Sequence, residues 1–361
     1  MIYQVLPSIA KFDAISQHAI RIDSELKKRN IETQLVAEHI GAEFVNLVKK
    51  PTEIVTFDNS HVLYHLSISN HVSEMIFNST ADVDIWYHNI TPAKYFESWE
   101  PFISLELRIA RYQLAQMAIR ARRGVCASVF SEKELQANGC IDTLVMPVLF
   151  DAKTKVAVSS TTGITRKNVA TSILFVGRFA PHKRIEKLIE TFSMYLDLVD
   201  SKAQLHLVGS KASEWYQDSI YQLINELKIK NSIIFHNHIS DGELTALYAR
   251  ADIFLCMSEH EGFCVPLVEA MCNELPIVSS NGGAIGETLN GAGILLDVDS
   301  DLIDYVAAID LAVNNKIVRS ELIESSKKSA KILDLDLETK RAVDWLTFSG
   351  EFSKSKVVNY A

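Results

Sequence analysis

Two short stretches of the chain hold residue types whose spacing suits phosphate chemistry. In the first, Ser172-Ile173-Leu174-Phe175-Val176 reads as a strand and runs directly into Gly177-Arg178-Phe179-Ala180-Pro181-His182-Lys183. Ligands of parallel α/β sheets bind beyond the carboxyl ends of strands. Gly177 permits a sharp turn there. Arg178 offers a planar fork of donors matched to phosphate oxygens, and Lys183 adds a mobile point charge. A helix expected from Arg184 would aim its positive N-terminal end the same way. On their own, an arginine and a lysine after a strand are more often solvated surface charges.

The second stretch is Ser258-Glu259-His260-Glu261-Gly262-Phe263-Cys264-Val265-Pro266-Leu267-Val268-Glu269. The apolar run Asp252–Met257 before it reads as a strand, and Pro266 stands where a first helical turn begins. Glu261 is therefore expected in the loop at the strand's carboxyl end, and Glu269 about one turn into the helix. The intervening Gly262, Phe263, Cys264 and Val265 would present backbone N–H groups at a helix N-terminus, a natural anion site. The plainer readings are a capping charge for Glu261 and an exposed helical residue for Glu269.

The two stretches together are more specific than either alone. The Glu261/Glu269 pair matches the E-x7-E signature of the family-4 retaining glycosyltransferases, and Gly177 to Lys183 resembles that family's G-R-x-x-x-x-K. Gly209 and Asn281-Gly282-Gly283 followed by Glu287 are similar to its further landmarks, in order. The chain thus resembles bacterial polysaccharide and O-antigen hexosyl- and mannosyltransferases, strongly over roughly residues 170 to 300. The resemblance implies a GT-B fold and transfer of a hexose from a GDP- or UDP-linked nucleotide sugar to a glycan or lipid-linked acceptor. It further implies that anomeric configuration is retained and that neither cofactor nor metal is required. It also implies roles. Arg178 and Lys183, with Gly177 and the Phe263-Cys264-Val265 amides, would hold the diphosphate. Glu269 would bind the ribose, and Glu261, Gly262 and Phe263 the sugar. Cys264 departs from the glycine usual there. A catalytically silent scaffold of the same fold is the alternative.

In the first half, Trp86-Tyr87-His88-Asn89-Ile90-Thr91-Pro92 ends a strand, and relatives often carry a sugar-contacting histidine at the His88 position. His88 thereby joins Arg178, Lys183 and Glu261 among the expected catalytic residues. The same resemblance puts Asp13, Ser16 and Lys94 on the acceptor side, although a helix cap is the plainer reading of Asp13. A long helix from Phe102 to Arg122 carries Arg108, Arg111, Arg120 and Arg122, with Arg123 beyond it. Its expected apolar face is Leu105, Ile109, Leu114 and Met117. Such a helix is either an ordinary domain helix with a solvated basic face or a peripheral contact to anionic lipid.

These residues need a scaffold, and the chain alternates strands with helical stretches throughout, the mark of parallel sheets. Strand-like runs fall at Tyr3–Leu6, Glu32–Ala37, His61–Leu66, Asp84–His88 and Gly124–Phe130, and again from Ser172 onward. Ser131 with Glu134, and Ser240 with Glu243, read as capping boxes. Between the two series, residues 151 to 171 are rich in Lys, Ser and Thr and read as a linker. The expected organisation is α/β, with two Rossmann-like domains whose parallel sheets face across a cleft. Residues 1–160 form an acceptor-binding domain and 161–335 a nucleotide-sugar-binding domain. Residues 336–361 form a C-terminal helix and tail, for which a return to the N-terminal domain is open.

Composition excludes other classes. A formal net charge of -9 argues against a nucleic-acid binder. Five cysteines without a C-x-x-C pair give no zinc signature and suit a reducing compartment. No signal peptide and no apolar run of membrane-spanning length is read, so a cytoplasmic protein is expected. Neither half carries G-x-G-x-x-G after its first strand, which argues against a nicotinamide dehydrogenase. Asp82-Val83-Asp84 and Asp297-Val298-Asp299 read as loop acids rather than D-x-D metal ligands.

Overall fold

Strands such as Val62-Leu63-Tyr64-His65-Leu66 and Ile253-Phe254-Leu255-Cys256 are buried on both faces, as parallel strands covered by helices on each side must be. The computed structural model of the chain describes residues 1–11, 13–152, 170–211, 213–237, 239–332 and 334–348. It divides into two compact units. One comprises Met1–Glu97, Pro101–Phe150 and Leu333–Ala361; the other comprises Ser98–Glu100 and Asp151–Ile332.

The first unit runs β1 (Ile2–Ile9), α1 (Ala14–Lys28), β2 (Thr33–Ile40), β3 (Val48–Lys49), β4 (His61–Leu66), α2 (Val72–Phe77), β5 (Asp82–Tyr87), α3 (Pro101–Arg120), β6 (Arg123–Cys126), α4 (Val129–Ala137) and β7 (Thr143–Val145). Its seven-stranded parallel sheet has the order β3-β2-β1-β4-β5-β6-β7. The order reverses between β1 and β4, the switch point where doubly wound sheets open a crevice. Ile22 and Leu26 of α1 pack with Leu63, Trp86 and Val125 of the sheet to form one core.

The second unit runs β8 (Ser172–Val176), α5 (Ile185–Leu198), β9 (Gln204–Val208), α6 (Glu214–Glu226), β10 (Ile233–His236), α7 (Asp241–Arg250), β11 (Ile253–Cys256), α8 (Val265–Cys272), β12 (Ile277–Ser280), α9 (Ile285–Leu289), β13 (Ile294–Leu296), α10 (Leu302–Asn314) and α11 (Lys316–Ile332). Its six-stranded parallel sheet, β10-β9-β8-β11-β12-β13, switches between β8 and β11. The last helix, α12 (Leu335–Thr347), belongs to the first unit and lays Ala342, Val343, Trp345 and Leu346 on the α1 side of that core.

Several expectations need correction. The strand expected over Gly124–Phe130 ends at Cys126. Ser128, in extended conformation, accepts from the Ser131 N–H and starts α4 there, so Ser131 and Glu134 form no capping box. The Ser240/Glu243 box does form. Asp82 and Asp84 are not loop acids but open β5, and Asp297 directly follows β13, a short strand the periodicity did not announce. The face of α3 is also reassigned. Leu114 and Met117 are buried, yet Leu105 and Ile109 are exposed with Phe102, Tyr112 and Ile119, because the small Ser104 and Ala110 make up the inner face. The arginines expected to form a solvated basic face are bonded to protein acceptors. Arg108 binds Glu97, Arg111 binds Glu134 and the Ile90 carbonyl, and Arg120 binds the Ser79 and Ala81 carbonyls. Arg122 and Arg123 bind Asp84. The expected linker falls largely, and the tail after Ser349 wholly, outside the described residues. Among the described residues, no helix is long and apolar enough to cross a membrane.

Candidate active site

In the second unit, the loops after β8 and β11 meet at the switch point of the sheet. Gly177 follows β8, and Arg178 is exposed in the turn. Pro181–Lys183 then form one turn of 3-10 helix, so α5 starts later than expected, with Arg184 in the left-handed region at its N-cap. The first N–H of α5, on Ile185, is taken by the Tyr216 hydroxyl at 3.0 Å. That helix end is therefore partly satisfied from within the protein.

Lys183 does not point to solvent. Its ammonium donates to Glu261 Oε1, and both side chains are largely buried, 15% and 9% exposed. Burial works against the lysine's charge, but the Glu261 carboxylate outweighs it, and the net direction of the lysine pKa is upward. The pair closes two loops on each other, and a backbone bond from Glu259 N to His182 O (2.8 Å) fastens them again.

A third loop braces the same place. Ala284 N donates to Glu261 O at 2.9 Å, and Ser280 Oγ donates to Ser258 O at 2.6 Å. This is why two glycines precede Ala284. A β-carbon on Gly282 would lie 2.2 Å from Ser258 O; Gly283 sits at φ +65°, where one would lie 2.4 Å from Glu261 O.

Glu269 lies on α8 and is not the exposed helical residue of the plainer reading. It is 4% exposed, and its carboxylate accepts from Tyr248 Oη at 2.7 Å. The N-cap side chain of α8 makes no capping hydrogen bond. Its N-cap residue, Cys264, stands at φ +70°, a conformation that a glycine adopts without strain. The Cys264 thiol shares a hydrogen bond with that of Cys256, at the end of β11, and this contact draws the Cys256 thiol down to about 7. Cys256, Cys264 and Glu261 each place one ligand-type atom within 4.8 Å of the others. The two cysteines are eight positions apart, outside C-x-x-C spacing, and the fold alone brings them together.

The remaining expected site residues lie in the first unit. His88 follows β5 and is half-buried. Its Nε2 lies 3.1 Å from His65 Nδ1, and burial lowers its pKa to about 3. Asp13 caps α1 by accepting from Ser16 N at 2.8 Å. Ser16 is fully buried, donating from its hydroxyl to Asp13 at 2.6 Å and accepting from Ala10 N at 3.0 Å. Lys94 is exposed, its ammonium 4.9 Å from the Tyr95 ring centre.

Residues 165–329 match the family described as Glycosyl transferases group 1. The second unit is a group 1 glycosyl transferase domain. The chain is 28% identical over 135 residues to the O-antigen chain mannosyltransferase B of Escherichia coli, covering 37% of this chain and 34% of that protein. It is 23% identical over 233 residues to the O-antigen chain mannosyltransferase RfbU of Salmonella typhimurium, covering 64% of this chain and 60% of that one. These matches span less than two thirds of either relative. Among solved structures, the glycosyltransferase WaaG, involved in lipopolysaccharide biosynthesis, superposes with a TM-score of 0.73 at 14% identity, over 97% of this chain and all of that one. Anabaena HepE in complex with UDP and glucose gives 0.74 at 16% identity, over 96% and 99%. Both likenesses concern the fold, which is that of the GT-B glycosyltransferases. Within this group 1 domain, Lys183, Glu261 and Glu269 lie on loops and a helix at the switch point of a single sheet.

Proposed function

We propose that the chain is a retaining hexosyltransferase that moves a sugar, mannose being the first to test, from a GDP- or UDP-linked donor to a glycan or lipid-linked acceptor. The observation that carries the reading is the buried Lys183–Glu261 pair at the β8/β11 switch point, with Glu269 on the α8 that follows and held by Tyr248. The sequence match to the group 1 family and the mannosyltransferase names of the relatives support it.

The proposed chemistry follows from charge. Cleaving the bond between the sugar C1 and the diphosphate builds negative charge on the leaving phosphate. Fixed cations and helix N–H groups that need no rearrangement stabilise that charge best. An ammonium has three donors; Glu261 takes one from Lys183, leaving two for phosphate oxygens. Arg178, exposed in the turn after Gly177, adds a bidentate fork. The Phe263, Cys264 and Val265 amides at the start of α8 add dipoles of the same sign. Glu261, kept in place by Lys183 and Ala284 N, accepts from sugar hydroxyls with Gly262 and Phe263 beside it, and Glu269 accepts from the ribose. His88 contacts the sugar, while Asp13 and Lys94 border the acceptor. Ser16 acts through Asp13, since its hydroxyl is already committed. Retention follows if the acceptor hydroxyl attacks from the side of the departing phosphate, which takes its proton. No divalent metal enters this scheme, so activity is expected to survive EDTA.

The outward stripe Phe102, Leu105, Ile109, Tyr112 and Ile119 of α3 supports a peripheral contact of this face with membrane lipid. Flotation with anionic vesicles tests it, and unchanged flotation of a Phe102→Ser/Ile119→Ser variant would reject it. The transfer reading itself is tested by incubating the full chain with GDP-mannose or UDP-glucose and oligosaccharide or lipid-linked acceptors. Released nucleoside diphosphate together with a lengthened glycan supports it; diphosphate release from no donor rejects it.

A further inference from the structure

The second unit brings together two thiols and a carboxylate. Cys256 ends β11, Cys264 is the N-cap of α8, and Glu261 lies in the loop between them. One ligand-type atom of each lies within 4.8 Å of the other two, and all three residues are buried. Buried cysteines are ordinarily small apolar core residues. Packing alone does not require that both sulfurs and a carboxylate converge on one point.

The donor set names the ion. A tetrahedral zinc ion holds sulfur at about 2.3 Å and carboxylate oxygen at about 2.0–2.2 Å. Ligand atoms on such an ion lie roughly 3.5–4 Å apart, inside the 4.8 Å limit that these atoms keep. Thiolates select zinc over magnesium or manganese, which prefer oxygen. Three protein ligands leave a fourth position for water, the pattern of an open zinc site rather than a closed structural one.

The surroundings hold the ligands in place. Cys256 Sγ lies 3.3 Å from Ser258 Oγ, and Ser258 O accepts from Ser280 Oγ at 2.6 Å. Glu261 O accepts from Ala284 N at 2.9 Å. Lys183 donates to Glu261 Oε1. A carboxylate has two oxygens, so the second can bind the cation while the ammonium stays on the first, the usual kind of outer partner for a ligating carboxylate. The charges close as well. A divalent cation and the ammonium balance two thiolates and the carboxylate, so no net charge is left buried. Cys264 and Glu261 keep a little surface, which gives the ion a way in.

We propose that Cys256, Cys264 and Glu261 form an inhibitory site for a thiophilic divalent cation, zinc above all. Binding breaks both S–H bonds, forms two S–Zn bonds and one O–Zn bond, and releases the two thiol protons to water. No electron is transferred. The ion then occupies the carboxylate that the transfer scheme assigns to the sugar hydroxyls. The inhibition rests on the transfer reading; the metal site does not.

Cobalt(II) titrated alone into the full chain tests the site without any activity assay. The expected result is a sulfur-to-cobalt charge-transfer band, which ligation by nitrogen and oxygen alone does not give. Two variants should each abolish most of it: Cys256→Ser, whose hydroxyl can still meet Ser258 Oγ, and Cys264→Gly, which suits φ +70°. No band in the wild type, or a full band in either folded variant, overturns the site. Calorimetry with zinc alone is expected to give a Kd of about 1 µM or tighter, weakened about 100-fold or more in either variant; equal affinity in wild type and variants overturns it. Turnover of GDP-mannose or UDP-glucose should fall about tenfold or more with zinc, return with EDTA, and be indifferent to magnesium. Cys256→Ser, which has no part in transfer, should keep its zinc-free turnover and escape the inhibition. Zinc inhibition that persists in Cys256→Ser overturns the inhibitory role. Turnover of neither nucleotide sugar overturns the transfer reading and the inhibition with it, whereas the cobalt band still decides the metal site.

Discussion

Lys183 and Glu261, 78 residues apart in sequence, form a largely buried ion pair that joins the loop after β8 to the loop after β11. Two residues to which separate duties are assigned, one for phosphate and one for sugar, therefore hold each other in place.

The pair has a stability signature. Removing one partner of a buried pair strands the other charge, at a cost of about 3–5 kcal/mol. Lys183→Met alone is expected to lower stability by roughly that amount, measured by denaturant unfolding of the full chain. The double variant Lys183→Met/Glu261→Gln should recover much of the loss. Two single-variant costs that simply add would show that the two side chains do not depend on each other.

The first unit carries a pH-sensitive counterpart. Asp84 is fully buried, bonded to His61 (2.8 Å), Arg122 (3.2 Å) and Arg123 (3.1 Å), while Arg123 also donates to the Leu346 and Phe348 carbonyls at the end of α12. Burial alone would raise its pKa, but His61 and Arg123 outweigh it and the net direction is down. A depressed folded pKa gives stability that is present above the unfolded value, about 3.9, and is lost as pH falls through the folded value. Asp84→Asn should cost about 3 kcal/mol at neutral pH. The gap from wild type should hold to about pH 5 and narrow below about pH 4. Unfolding midpoints measured across that range check it; a gap that widens on acidification would be inconsistent.

The glycine pair after β12 tests how the Glu261 loop is held. At Gly283 an alanine would need φ +65° and would bring its β-carbon against Glu261 backbone. Gly283→Ala is expected to lower stability by about 1–3 kcal/mol and to reduce turnover by more than that loss explains, since Glu261 must shift. Turnover that stays near wild type at a temperature where the variant is fully folded would show that the loop tolerates displacement.

Much of this organisation can be read from the chain. Buried parallel strands such as His61–Leu66 and Ser172–Val176 are apolar runs between helical periods, and in both the apolar run and the strand have the same ends. The glutamate pair spans one loop and the first turns of α8, and the Gly-Arg start of the clamp lies in one loop, so spacing alone suggests them. Contacts set by strand order are not visible in this way. His18 on α1, His65 on β4 and His88 after β5 come together because β1, which leads into α1, lies beside β4 and β4 beside β5, and no spacing rule links them. Cys256 and Cys264 meet because a strand end and a left-handed N-cap turn toward each other. On a helix a glutamate reads as surface; only the fold brings Tyr248 against Glu269. The face of α3 is hidden for a related reason, since small Ser104, Ala110 and Ala118 share its core side with Leu107, Leu114 and Met117 while other large apolar side chains face outward.

The central claim is that the Gly177–Lys183 clamp grips a nucleoside diphosphate while Glu261 serves the sugar. Calorimetry with GDP and UDP, paired with turnover on the preferred nucleotide sugar, tests it most directly. Arg178→Ala and Lys183→Ala are each expected to weaken diphosphate binding at least tenfold, about 1.4 kcal/mol. Glu261→Gln should leave that affinity within about threefold while turnover falls by about 10²-fold. Unchanged diphosphate affinity in both cation variants, or equal loss of affinity and turnover in Glu261→Gln, would contradict the account.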